Sequence, residues 1–274
     1  MIATIKSEWR KNRFRPAFLV GSGLIGAITV LVYALSWYQA LHPVAGDRGR
    51  AVSILTLYPD QLVNNVMGAA FPLGAAMAIV VGAIYAGSEY SWGTWKTMLT
   101  QGPGRLTVWA GRVAVFVGWM GIMTAVLFIV GAISSVVIAS FQGQAITWPA
   151  AVDVAKGIGA IWLIFAVNGT IGLALGVVIR QSAAALGAGL IYVLAVEIIA
   201  VRFIDSINNG AYQWISNLLV NQNATALTQS FTSPVFGRTI APVVSAEHAV
   251  LVLVAYGLGL AVVAACLLRL RDVT

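Results

Sequence analysis

Apolar residues dominate the chain in long runs, and the charged positions cut those runs into six pieces. The charge-free or nearly charge-free stretches are 16–38, 65–87, 113–141, 157–179, 183–204 and 249–268. A bilayer core demands about 20 apolar residues per helix, so each stretch predicts one membrane-spanning helix. The runs are too long for barrel strands and lack alternation of apolar and polar positions, so strands are excluded. The third stretch is long enough to tilt or to project beyond the bilayer. The reading is an all-α polytopic membrane protein with a single transmembrane domain over 1–274.

Composition agrees with the pattern. Of 274 residues, 59% are hydrophobic and only 9% are charged, and mean hydropathy is +0.89. A soluble domain carries roughly a quarter charged residues, so a soluble enzyme and a disordered chain are excluded. The lone cysteine, Cys266, permits no internal disulfide. A net charge of +7 in so apolar a chain reports topology rather than nucleic acid, and no nucleic-acid partner is expected.

Six spans place both termini on one side. That side collects Lys6, Arg10, Lys11, Arg13, Arg15, Lys96, Arg105, Arg112, Arg180, Arg269 and Arg271. The other holds Arg48, Arg50, Lys156, Arg202 and Arg238. The positive-inside bias puts both termini in the cytoplasm. Residues 1–15 predict a basic amphipathic helix lying at the interface, with Ile2, Ile5 and Trp9 on one face and cations to meet anionic membrane lipid. The first span reads as an uncleaved signal-anchor.

Two segments outside the spans carry pattern. The internal loop at 88–105 contains Thr94 as a cap for a short helix whose Trp95, Met98 and Leu99 share a face, stopped by Gly102, Pro103 and Gly104. In the external segment 205–248, Trp214, Ile215, Leu218 and Leu219 recur at helical spacing over about 211–220. Uncharged polar residues follow, so a re-entrant or membrane-resting segment is expected.

Catalytic patterns are absent: no Gly-x-x-x-x-Gly-Lys-Ser/Thr phosphate loop, no His-Glu-x-x-His, no Gly-x-Ser-x-Gly. The chain is therefore expected to bind no metal and no nucleotide, and not to be an enzyme by itself. One intramembrane charge stands out. Glu197, inside the fifth span, needs a partner, a proton or water. Arg202 and Asn168 are the candidates on offer. A polar point on a cargo or proton path and a paired structural group both fit. The first of these leads to an alternative function, a secondary transporter or channel. Gly21, Gly23 and Gly26 in the first span and Gly172-x-x-x-Gly176 in the fourth allow close helix approach.

The loop sequence Glu89-Tyr90-Ser91-Trp92-Gly93-Thr94-Trp95-Lys96-Thr97-Met98-Leu99, the basic N-terminal helix and the six spans resemble the permease subunit of ABC transporters of the ABC-2 type. The resemblance covers essentially the whole chain. It implies a dimer with a second permease, identical or homologous, in a prokaryotic cell membrane. Two separate ATPase subunits, which carry ATP and Mg, would dock beneath. It implies that Glu89, Tyr90, Gly93, Thr94, Trp95, Met98 and Leu99 form the ATPase-coupling loop, with Glu89 paired to a basic group on the ATPase or in the basic N-terminal helix. Cargo would pass between the second and fifth spans, near Met67, Phe71, Met77, Tyr192 and Glu197. Members of that family export drugs, antimicrobial peptides, lipids or polysaccharides.

The topology has a direct check. Single cysteines at positions 48 and 238 should react with an impermeant thiol reagent in intact cells, and one at 96 only after permeabilisation. Labelling of position 96 from outside overturns the orientation.

Overall fold

The computed structural model describes residues 2–42, 54–70, 73–91, 104–207, 212–231 and 242–270. Among them there is no strand. In chain order the helices are α1 (Ile2–Asn12), α2 (Pro16–Leu41), α3 (Leu62–Ala70), α4 (Leu73–Ser91), α5 (Arg105–Phe141), α6 (Ala151–Ile179), α7 (Ser182–Ile191), α8 (Glu197–Ser206), α9 (Gln213–Ser216), α10 (Val220–Gln229) and α11 (Ala246–Leu270). A π turn at Tyr192–Val196 joins α7 to α8 into one fifth span. Six helices are long and apolar enough to cross a membrane.

Local sequence sets several ends. Arg15 is extended and Pro16 opens α2, where its missing N–H has no helical partner to lose. Helix α6 closes on Arg180, which adopts the left-handed conformation at φ 61° and donates its N–H to Gly176 O at 3.0 Å. Glycine normally takes that place, so this turn carries backbone strain. Helix α5 begins at Arg105, eight residues before the apolar stretch starts at 113. Its 37 residues extend about 55 Å at 1.5 Å per residue, well past a hydrocarbon core of roughly 30 Å.

Burial follows one side of each outer helix. On α2 the buried residues Phe18, Gly21, Ile25, Thr29 and Tyr33 repeat every three or four positions. Leu19, Val20, Leu24, Val30, Leu31 and Leu35 on the other side are exposed. An apolar outer surface of this extent is a lipid-facing or helix-facing surface, because water would penalise it.

The centre of the bundle is the α4–α6 seam, and glycine makes it. A Cβ added at Gly82 would collide with Gly169 O and stand 2.9 Å from Leu173 N. One at Gly172 would collide with Ile79 O, and one at Gly176 would stand 2.6 Å from Ala86 Cβ. Backbone thus lies on backbone along about two turns of each helix, the close approach that small residues permit in membranes. The Gly172-x-x-x-Gly176 pair serves this internal seam. Below it, Gly87 abuts Ser182 at the start of α7, so α4 also fixes the turn into the fifth span.

The segment between the fifth and sixth spans differs from the pattern-based expectation. The apolar stretch around Trp214 forms only the single turn α9, and the longer helix is the polar stretch Val220–Gln229. Val220, Asn223, Ala224, Leu227 and Thr228 form its buried side, which packs chiefly on α11. Small residues and a buried asparagine make a helix face that hydropathy alone does not mark.

The seam yields a prediction. Gly172→Ala should destabilise the detergent-solubilised protein by about 1–3 kcal/mol, because the methyl meets a carbonyl that cannot move aside. Gly259→Ala, where nothing lies within 4 Å of the new methyl, should leave the thermal midpoint unchanged or raised. Equal melting of the two variants would contradict the seam.

Candidate functional site: a buried ion cluster at one end of the bundle and a capped helix at the other

Glu89 sits on the last turn of α4, with its side chain fully buried. Three cations from two other elements converge on it. Lys11 Nζ lies 2.8 Å from Oε1 and 3.1 Å from Oε2. Arg15, between α1 and α2, pairs with Oε1 through Nη2. Arg112 of α5 brings Nη2 to 3.4 Å from the same oxygen. The Arg112 side chain is itself 1% exposed. Arg112 also donates to Tyr85 O at 3.2 Å.

One turn back along α4, Tyr85 extends the cluster. Arg112 lies 4.7 Å above its ring and Arg15 lies 5.3 Å away, both within cation–π range. The Tyr85 hydroxyl donates to Glu8 Oε2 at 3.1 Å and accepts from Asn12 Nδ2 at 2.9 Å. Glu8 and Asn12 are both buried. Phe18 stacks on Trp119 at 4.9 Å, Trp119 on Trp9 at 5.3 Å, and Phe116 on Tyr85 at 5.7 Å. These rings wall the polar cluster on its bundle side and keep its effective dielectric low, which strengthens every pairing inside.

The arrangement splits the expected Ile2, Ile5 and Trp9 face of α1: Ile5 packs against the core, while Ile2 and Trp9 stay exposed. Glu8, Lys11, Asn12 and Arg15 point into the bundle, while Ile2 is 74% exposed. Helix α1 rests along α5, with Thr4 packed where Gly111 leaves room. Sequence reasoning offered the basic N-terminal segment, or an ATPase, as the source of a partner for Glu89, and Lys11 and Arg15 of that segment fill the role; it passed over Glu8, Asn12, Tyr85 and Arg112 as site residues. The available signal was Arg112 within an otherwise apolar helix, since a lone guanidinium there requires an acid.

Glu89 and Tyr90 are helical, not part of a loop. Arg180, at the strained end of α6, lies 5.7 Å from the Tyr90 ring. The fourth-to-fifth-span turn therefore reaches the same edge of α4. Gly93, Thr94, Trp95, Met98 and Leu99 fall outside the described residues, as does Phe71. What the structure does place is the base of the 92–103 segment. The chain leaves it at Ser91 and returns at Gly104, and the Glu89–Arg112 pair ties the two helices that flank it.

The opposite end of the bundle holds Glu197, which is 1% exposed. The π turn inserts one extra residue into the fifth span and sets Glu197 at the start of α8. Its Oε1 accepts from the backbone N–H of Asn221, the second residue of α10. A carboxylate at a helix N-terminus meets unpaired N–H groups and the positive end of the helix dipole. Neither expected partner is used. Asn168 donates to Ile164 O of its own helix at 2.9 Å, and Arg202 is exposed and forms no ion pair with Glu197. Asn168 is one helix removed on the α6 seam, and Arg202 points away from the bundle. Asn223 Nδ2 donates to Asn217 O at 2.7 Å and Leu219 O at 2.8 Å. His248 Nε2 stands 3.2 Å from Asn217 O. The turn before α10 is thus held from α8, α10 and α11 at once.

Of the other expected path residues, Met67 is fully buried, and Met77 and Tyr192 are half-buried. Among the described residues, no three His, Cys, Asp or Glu side chains gather as metal ligands would. No protein-family model matches the chain, and no curated protein matches it significantly.

The two polar sites are separable by experiment. Glu89→Gln takes from Lys11, Arg15 and Arg112 the carboxylate they share, and breaking a buried pair in this way costs about 3 kcal/mol. Amide exchange should rise across Ile2–Asn12 and stay unchanged across Val220–Gln229. Glu197→Ala should produce the reverse pattern. A uniform rise in both variants would mean that neither residue acts locally.

Proposed function

We propose that this chain is the membrane-spanning permease subunit of an ATP-driven exporter of the ABC-2 type. It forms the translocation path with a second permease, identical or homologous, in the cell membrane of a prokaryote. Separate ATPase subunits supply the ATP and Mg chemistry from the cytoplasmic side. The cargo class is hydrophobic or amphipathic: a drug, antimicrobial peptide, lipid or polysaccharide.

The Glu89 cluster is the observation that carries this reading. Outward transport against a gradient requires work, and the chain has no phosphate-binding loop of its own. A partner must therefore push on some part of it. Residues 92–103 leave and rejoin the bundle at two helices cross-tied by Glu89 and Arg112, with α1 clamped across them by Lys11 and Arg15. Force applied to such a segment moves α1, α4 and α5 together instead of being lost in a hinge. Rigid-body displacement of this kind is how packed bundles transmit a switch. The extended α4–α6 contact then carries the displacement toward the fifth span.

The alternative, a secondary transporter working through Glu197, receives less support. That carboxylate is engaged at the N-terminus of α10, which gives it a structural task.

Leu99→Asp puts a charge on the apolar side of the proposed coupling helix, where an unpaired charge in a contact is expensive. The variant should reach the membrane at normal levels, yet lose co-purification with an ATPase in mild detergent. Glu89→Ala should retain part of the association but weaken cargo-stimulated ATP hydrolysis in reconstituted membranes. Wild-type assembly and coupling in both variants would remove the support for an energy-coupled permease.

A further inference from the structure

The basic residues of the N-terminal segment divide into two sets. Lys11 and Arg15 are committed to Glu89. Lys6, Arg10 and Arg13 are exposed, and among the described residues none of them has an acidic partner. The three are spaced i, i+4 and i+7, so they lie side by side on one stripe of α1. The only acid of the helix, Glu8, is buried on the opposite side against Tyr85.

The flanks of the stripe are apolar. On the helical wheel Ile2 and Trp9 border it on one side and Phe14, just past the helix end, on the other. Ile2 is 74%, Trp9 40% and Phe14 70% exposed. Arg13 lies 4.5 Å from the Phe14 ring. Three adjacent like charges on a helix repel one another and need a counter-charge. Flanking apolar side chains need something other than water.

We propose that this stripe is a docking surface for the anionic phospholipid headgroups of the cytoplasmic leaflet. Lys6, Arg10 and Arg13 contact the phosphates, and Ile2, Trp9 and Phe14 enter the acyl boundary beside them. A surface that offers dense negative charge next to hydrocarbon satisfies both halves of the stripe, whereas a dissolved anion satisfies only one. The fold commits the helix to this orientation, because its inner side is occupied by Glu89 and Tyr85. The bilayer then presses α1 onto the ion cluster from outside. The inference rests on the membrane-spanning reading of the bundle and is independent of any ATPase.

The test uses the full chain reconstituted in vesicles of phosphatidylcholine with 20% phosphatidylglycerol, about the simplest anionic bilayer. Spin-labelled phosphatidylglycerol and phosphatidylcholine report which lipid is enriched beside the protein. The wild type should favour the anionic label, and added salt should erode that preference. Inorganic phosphate at equal ionic strength should do no more than salt. Lys6→Gln, Arg10→Gln and Arg13→Gln combined should abolish most of that preference. Lys156→Gln, whose charge lies at the other end of the bundle, should not. Unchanged lipid preference in the triple variant overturns the proposal. So does loss of a co-purifying protein partner with lipid preference intact, which would assign the stripe to an acidic protein surface.

Discussion

A carboxylate withdrawn from water at the end of a membrane helix is stable only if cations are brought to it, and Glu89 receives three. The architecture of this end of the bundle depends on that supply. Two of the cations come from the N-terminal segment, so α1 folds back across the bundle to deliver them. The third lies on α5 seven residues past Arg105, so the helix continues well below the apolar stretch. Tyr85 and Glu8 extend the same requirement by another turn. Each buried polar group leaves its neighbour in need of a partner, until the network closes against the ring wall of Phe18, Phe116 and Trp119. Breaking any one member leaves the others charged or unpaired, which is why such networks are lost together.

The rest of the bundle is held differently. Between the ion cluster and the Glu197 cap, the contacts of α4 with α6 include bare backbone at Gly82, Gly169 and Gly172, the Ala86 methyl and the Phe165 ring against Gly74. Close packing gives that seam its rigidity without direction-specific bonds. The buried acidic and basic side chains lie at the ends, where α1 and α10 are tied down, whereas the polar side chains of the middle, Thr124, Asn168 and Thr170, bond the backbone of their own helices.

The helical class and the presence of six membrane-length helices were legible from charge spacing alone, because hydrocarbon thickness fixes the length of each run. The interfacial orientation of α1, the coupling segment and the re-entrant segment rest on proposal. The Glu89 cluster was half legible: Glu89 drew attention through the loop that follows it. The basic N-terminal segment was one of two sources named for the partner of Glu89, but which of its cations turn inward was not legible, and Arg112 went unseen because its charge already had a topological explanation. The π turn that seats Glu197 leaves no trace in composition. Helix α10 was missed since its buried side is built of Val220, Asn223, Ala224 and Leu227, a pattern whose mean polarity is that of a loop. Pairings made across the fold are invisible to any window sliding along the chain.

The division of cations in the first 15 residues acquires a further meaning once the chain is considered in time. Chains emerge from their N-terminus, so α1 is complete before Glu89 is made. Through that interval Lys11 and Arg15 have no Glu89 to face. All five basic residues then act as one block, holding the first span in its orientation at the membrane surface. When α4 arrives, two of them are withdrawn from that block and sealed around Glu89. The same side chains thus serve first as an address and later as a rivet, and the second use locks in the orientation chosen by the first.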